Sequence, residues 1–333
     1  MKHIKNFKLD KKGMKVILIG IAVIALPQIF TGHFQRHVMV MSLVWAIIGM
    51  GWNILGGYTG QVSNGHALYY TIGAYAGAIG MYNFNITPWI TMWIGVVISI
   101  GLAYILGTPL LRLKGHYFAV ASMALAECAR YIFLNTPALG GAVGINFYNG
   151  KLNPWYSMQF PSKTYYYYIF LGFAVAVIIL VKKIEKSKLG YYFRTIKGNE
   201  MAAESVGIDT AKYKMIAYIL SVSVVSIGGS LYVQYMLYVD PYMILTLNIS
   251  MMIVLVAVMG GIGTVYGPII GAIVLTVISE YSRSFFAKIG SGFDFFLYGI
   301  LVIIIVLFVP NGLISIFKRK KKVDTSVKDK VTT

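Results

Sequence analysis

The feature that most constrains this chain is a succession of long apolar runs. A helix needs about 20 mostly apolar residues to cross a bilayer, within a range of about 17–25. Ten candidate runs follow one another, at residues 16–30, 38–55, 66–82, 88–106, 116–134, 165–181, 215–238, 243–259, 264–282 and 293–309. Seven of them contain no Asp, Glu, Lys or Arg. Charged residues make up only 12% of the chain, yet its formal net charge is +18. A soluble domain carries about 25% charged residues. A disordered chain would lack the large apolar side chains, and a nucleic-acid binder this basic would spread Lys and Arg over a water-facing surface. With 11 acidic residues there are too few to keep so apolar a globule in water. The expected fold class is therefore all-α: a polytopic integral membrane protein of about ten transmembrane helices.

The excess positive charge reads as orientation. Cytoplasmic loops of membrane proteins are enriched in Lys and Arg. With the N-terminus inside, segments 1–15, 56–65, 107–115, 183–214, 260–263 and 310–333, with Lys182 at their border, hold 23 of the 29 basic residues. The outer loops hold Arg36, Lys151, Lys163, Arg283 and Lys288, and Arg130 lies within a span. An even number of spans keeps both basic termini cytoplasmic. The expected organisation is a basic tail at 1–15, a transmembrane domain at 16–309 with a large inner loop at about 183–214, and a second basic tail at 310–333. That last tail suits anchoring at anionic lipid rather than binding nucleic acid. The first run follows a Lys-rich start, but Phe30-Thr31-Gly32-His33 is a poor cleavage site, so the run reads as a retained helix.

Chemistry-bearing motifs are scarce. There is no G-x-x-x-x-G-K-[ST] loop to cradle ATP, no H-E-x-x-H and no EF-hand loop. The single Cys128 excludes an intramolecular disulfide. His33 and His37 have helical spacing but no carboxylate beside them in sequence, so no metal site is expected. Glycine is abundant instead, at 35 residues. Gly73 and Gly77 form a small-x-x-x-small step that lets helices approach closely; Gly263, Gly267 and Gly271 form two more. Each stretch follows a Gly-rich turn, and Gly65 to Gly73 and Gly263 to Gly271 have the same spacing. Such pairing points to the internal repeats of transporters. Glu127 sits mid-span, three residues before Arg130 and on the same helix face. A carboxylate at that depth is a functional candidate by default, and a structural ion pair is the other reading.

The inner loop holds a short helical segment, Asn199-Glu200-Met201-Ala202-Ala203-Glu204-Ser205-Val206-Gly207. Asn199 is a good N-cap, Glu200 suits the first turn, and Gly207 is placed to end the helix. Its Glu-x-Ala-Ala-Glu-x-x-Gly pattern resembles the cytoplasmic coupling loop of permease subunits in bacterial ABC importers. Gly57-Tyr58-Thr59-Gly60-Gln61-Val62-Ser63-Asn64-Gly65-His66-Ala67 resembles the early signature of the branched-chain amino-acid permease family. Leu111-Arg112-Leu113-Lys114-Gly115-His116-Tyr117-Phe118-Ala119 is similar to the stretch that marks that family's LivM type against its LivH-like partner. Ala126-Glu127, the loop Gly140-Gly141-Ala142-Val143-Gly144-Ile145, and Met259-Gly260-Gly261-Ile262-Gly263 fit its continuation. The resemblance spans about residues 38–312. Asn64 departs from it, standing where the family usually has an apolar residue.

The resemblance implies a permease subunit without enzymatic activity or cofactor of its own, in the bacterial cytoplasmic membrane. Its implied partners are a second, LivH-like permease, two cytoplasmic ATPases that bind the ATP, and an external substrate-binding protein. Glu200, Ala202, Ala203, Glu204 and Gly207 are then the ATPase-coupling candidates, with both glutamates meeting basic groups on the partner. Gln61, Ser63, Asn64, Gly65, His66 and Glu127 are substrate-path candidates. For the first five this requires the Gly-rich turn to lie within the membrane, whereas hydropathy places it in an inner loop. The substrate is a branched-chain or related amino acid; urea and amides are carried by related permeases. A partner-independent secondary transporter is the rival, and it would need more intramembrane carboxylates than Glu127.

Overall fold

A computed structural model describes residue 20 and residues 22–113, 115–148, 152–286, 299–300, 303 and 312–315. The last expected span, both tails, Lys114, Lys151, Lys288 and Asp294 lie outside the described residues, wholly or in large part. Residues 22–29 are helical, so the part of the first expected span that is described takes the expected form.

Apolar runs without Pro or charge fold as helices because, away from water, only internal hydrogen bonds satisfy the backbone. Helix α1 is His33–Trp52 and continues through a wider π-type turn, Asn53–Gly57. It is followed by α2, His66–Phe84; α3, Pro88–Leu110; and α4, His116–Asn135. A short helix α5, Pro154–Ser157, precedes α6, Lys163–Lys186. Two polar-surface helices come next, α7, Lys188–Gly198, and α8, Glu200–Ser205. Then follow α9, Thr210–Met236; α10, Pro241–Ile244; α11, Leu247–Gly260; and α12, Gly267–Phe286. The only sheet among the described residues pairs Ile145 with Val239 and Asn146 with Tyr238, antiparallel.

Among the described residues six segments are long and apolar enough to cross a membrane: His33–Gly57, Pro88–Leu110, His116–Asn135, Lys163–Lys186, Thr210–Met236 and Pro241–Gly260. Two further expected spans form helices of similar length, α2 and α12, but are less apolar. Glycine, tyrosine and hydroxyl residues dilute α2, and Glu280 and Arg283 dilute α12. In α2 this is tolerable because the helix is almost wholly enclosed by protein, where close backbone approach counts for more than apolarity.

The bundle is built around α9, which packs on α1, α2 and α3. Small residues make the crossings tight. A Cβ on Gly73 of α2 would run into the Ser226 carbonyl of α9, and one on Gly229 into the Tyr70 carbonyl of α2. Gly271 of α12 lies in the same way on the Val256 carbonyl of α11. By contrast α4 buries only the narrow stripe Phe118, Ser122 and Ala126.

Loops gather at two opposite ends. At one, Tyr156 Oη donates to the Asn85 carbonyl at 2.7 Å and Trp89 Nε1 donates to the Trp155 carbonyl at 2.9 Å, and the small sheet joins the loops after α4 and α9. At the other, the turns after α1 and α11 meet α7, and the Lys and Arg residues from Lys182 to Lys214 lie on the segments that gather there. This is the division of loops that the charge count requires. One detail differs. Residues 56–65 are not an exposed inner loop: Tyr58, Thr59, Gln61, Ser63 and Gly65 are buried. After Gly57 the chain turns back into the bundle, and Trp52 Nε1 donates to the Ser63 carbonyl at 2.7 Å. Trp52 stands on α1 before the π-type turn, so this bond ties Ser63 back toward the bundle. Hydropathy misses this because a polar, Gly-rich stretch scores alike in water and inside protein.

Candidate functional site

The turn at 53–66 and the corner at 260–264 are clasped together by one side chain. Asn53 Nδ2 donates to the Thr264 carbonyl at 2.9 Å, and Asn53 Oδ1 accepts from the Gly263 N–H at 2.8 Å. Asn53 is itself buried. Lys197, at the end of α7, reaches the same place: its Nζ donates to the Gly57 carbonyl at 2.8 Å. Lys197 is an exposed residue whose ammonium alone is drawn inward. Desolvation there lowers its pKa below the ordinary lysine value.

One residue beyond α7 the chain breaks at Asn199, whose Oδ1 accepts from the Ala202 N–H at 3.2 Å and caps α8. Gly207 ends the segment with φ +84°, a conformation that favours glycine. A Cβ on Gly207 would meet nothing within 4 Å in this chain, so within the chain its requirement is backbone conformation.

The two faces of α8 are unlike. Ala203 is 0% exposed and packs inward. The Glu200 carboxylate is engaged within the chain, by the Lys214 ammonium of α9. Lys214 is 1% exposed, so this is a buried cation with its counter-ion beside it, as burial of a charge requires. Glu204 is exposed, and its Oε1 accepts from Thr210 Oγ1 at 2.7 Å. Ala202 is exposed, as are Met201 at 68% and Val206 at 73%. A cleft of about 350 Å³ opens beside them, lined by Thr108 and Arg112 from the end of α3 and by Glu200, Glu204, Thr210 and Met215. Lys197, Lys214 and Asn53 went unremarked in the sequence. Their partners are 140, 14 and 210 or so residues away, and no local pattern signals them.

Five path candidates fall together. Ser63 Oγ accepts from the Gly65 N–H at 3.3 Å, and Ser122 Oγ of α4 accepts from the Asn64 N–H at 3.0 Å. Helix α2 starts without a side-chain cap. His66 Nε2 shares a 2.8 Å hydrogen bond with Ser221 Oγ of α9, which donates to the Gly51 carbonyl at 2.7 Å. The His66 ring also meets Tyr69 and Tyr218 edge-on. Glu127 is not in this group. It lies five residues beyond Ser122, about 7.5 Å along α4. There it pairs with Arg130 Nε at 2.8 Å, half-exposed, and the Arg130 guanidinium stacks over the Tyr131 ring at 4.9 Å.

These features define a multi-pass, all-α membrane protein with glycine corners folded into its bundle and a short capped helix at the basic end. The chain belongs to the family described as branched-chain amino acid transport system / permease component, whose family model matches residues 36–306. It is similar to the high-affinity branched-chain amino acid transport system permease protein LivM of Salmonella typhimurium, with 24% identity over 92% of this chain and 76% of that one. LivM of Escherichia coli gives the same identity and coverage. LivH of Escherichia coli is 22% identical over 87% of this chain and 95% of its own length. No solved structure matches the chain.

Proposed function

We propose that this chain is a LivM-type permease subunit of an ATP-driven importer for branched-chain or related amino acids in the bacterial cytoplasmic membrane. It works beside a second, LivH-like permease, two ATPases at the basic end and an external binding protein at the other. ATP is bound by the ATPases, and this chain carries no cofactor. Closure of the ATPases pushes α8, the bundle rocks, and substrate crosses by alternating access.

The observation that carries this reading is the two-sided character of α8. One side is fixed to the bundle through Ala203 and Glu200, while Met201 and Val206 stand out into water. Exposed apolar side chains on a polar-surface helix mark a protein contact. Glu204, at the mouth of the adjacent cleft, is the acidic group available to a basic side chain of the ATPase. The uncapped start of α2 is the place in the turn where an amino-acid carboxylate would be attracted, with Gln61, Ser63, Asn64, Gly65 and His66 around it. Glu127 lies further along the same path.

The test is co-purification of the ATPases with the M201E/V206E and E204K variants. Loss of the ATPase from M201E/V206E, with the permease still folded, is the expected result. Full retention by both variants, with wild-type uptake, refutes the assignment.

A further inference from the structure

The buried turn at 56–66 is held at both ends by lines of contact that start on either side of the α7–α8 joint. On one side Lys197 bonds the Gly57 carbonyl, at the turn's entry. On the other, Glu200 engages Lys214 of α9. Ser221 lies seven residues beyond Lys214, about 10.5 Å along the same helix. Ser221 bonds both His66, at the turn's exit, and the Gly51 carbonyl of α1. Between the two, α9 is continuous from Thr210 to Met236, so a displacement at Lys214 is carried to Ser221 as a rigid body. Only Gly198 and Asn199 separate Lys197 from Glu200, so a push on α8 acts on both lines at once.

We infer that Lys197 and Lys214 are positioning residues that carry motion of the α7–α8 segment to the entry and exit of the buried glycine turn. This rests on the reading of α8 as the ATPase contact. In this role each lysine acts through another residue, Lys197 through Gly57 and Lys214 through Glu200. A buried lysine is costly in a membrane protein, and a solvated linker helix would have no need of one. Its position under α8 is what a tie between that helix and the core requires. Lys214 is the stronger of the two, because it is buried and paired to a carboxylate, whereas Lys197 bonds a single carbonyl.

The test uses the whole importer in proteoliposomes and reads the amount of ATPase co-purified and the substrate moved per ATP hydrolysed. K214A cuts the tie. It is expected to retain the ATPase and to lower substrate moved per ATP at least tenfold. E200L/K214M replaces the ion pair by an apolar contact of similar bulk, a change that buried pairs commonly tolerate. It is expected to recover at least a third of the wild-type ratio. S221A cuts the line further down, leaves α8 untouched, and is expected to lower the ratio several-fold with assembly unchanged. It also serves if K214A does not fold. A wild-type ratio in K214A, or in S221A, overturns the inference, as does a loss in E200L/K214M equal to that in K214A. If M201E/V206E retains the ATPase, the reading of α8 itself fails. If it releases the ATPase while K214A couples normally, only the present inference falls.

Discussion

Gly73 and Gly77 occupy the same stripe of α2, and a sequence argument treats them alike. The structure separates them. A methyl group on Gly73 would collide with the backbone carbonyl of Ser226, which cannot move without α9. The same position is also in contact with α3, because a Cβ on Gly95 would lie 3.2 Å from the Gly73 Cα. A methyl group on Gly77 would meet the Gln234 Nε2 at 3.0 Å, Ser230 Oγ at 3.3 Å and Val233 Cγ1 at 3.3 Å. All three are side-chain atoms that give way by a small rotation. Replacing a helical glycine by alanine gains about 0.5–1 kcal/mol from reduced backbone freedom. Inserting a methyl group into a packed crossing costs about 1–3 kcal/mol. At Gly73 the upper part of that range applies, so G73A should lose about 1–2 kcal/mol net by these two magnitudes. At Gly77 the two effects nearly cancel, leaving G77A within about 0.5 kcal/mol of wild type. Unfolding of the detergent-solubilised chain by heat or by rising SDS fraction measures both. G73A unfolding no earlier than G77A would refute the argument that backbone contact at this crossing sets the spacing of α2 and α9.

Three other outcomes are expected. N53A leaves the Gly263 N–H and Thr264 carbonyl without their partner, and because those groups are only part-buried the loss should be about 1–3 kcal/mol; unchanged stability in the same unfolding assay would show that the two corners do not depend on the clasp. Burial lowers the Lys197 pKa, so the folded chain gives up this proton at a lower pH than the unfolded chain, and its charge weighs against folding at neutral pH. Stability of wild type relative to K197Q should therefore rise as pH climbs from that lowered value toward the ordinary lysine value of about 10.4, and a difference that stays flat or falls over this window contradicts it. Cys128 is exposed and adjoins Glu127; if that face of α4 lines the path, small hydrophilic thiol reagents should label it in the assembled importer and substrate should slow them, whereas labelling by membrane-permeant reagents alone rules the face out.

The helices were legible because each rests on a local property, an uninterrupted apolar run of the right length. The ends of α8 were legible for the same reason: Asn199 and Gly207 act within a turn of where they stand. The division of the loops into two ends followed from the positions of lysine and arginine, which answer to the membrane and not to the fold. What escaped was everything that depends on a distant segment. The inward course of residues 56–65 is fixed by Trp52, Ser122 and Ser221, on three different helices. The inward turn of Ala203 and Glu200 depends on where α9 begins. A pattern within α8 gives each residue's place on the helix but not which side the bundle lies on. Both glutamates of the motif therefore looked equivalent, although one pairs with a buried lysine and the other is exposed at the surface, bonded to the Thr210 hydroxyl.

The paired glycine corners gain a meaning from the clasp that their spacing alone does not have. Each corner joins two helices, α1 to α2 and α11 to α12, and in each the second helix lies against a backbone carbonyl at its glycine eight residues on, Gly73 and Gly271. Two such corners at separate places in a bundle could flex independently. Here a single buried amide holds them together, its Nδ2 donating to the Thr264 carbonyl and its Oδ1 accepting from the N–H of the preceding residue, Gly263. Lys197 bonds the carbonyl of Gly57 within the same cluster. Independent movement of either corner would break the two hydrogen bonds of Asn53 in a part-buried place, at about 1–3 kcal/mol together. Moving both together breaks none. The physical consequence is that the two corners are tied to each other at the basic end, and Lys197, two residues before the cap of α8, is bonded into the same cluster.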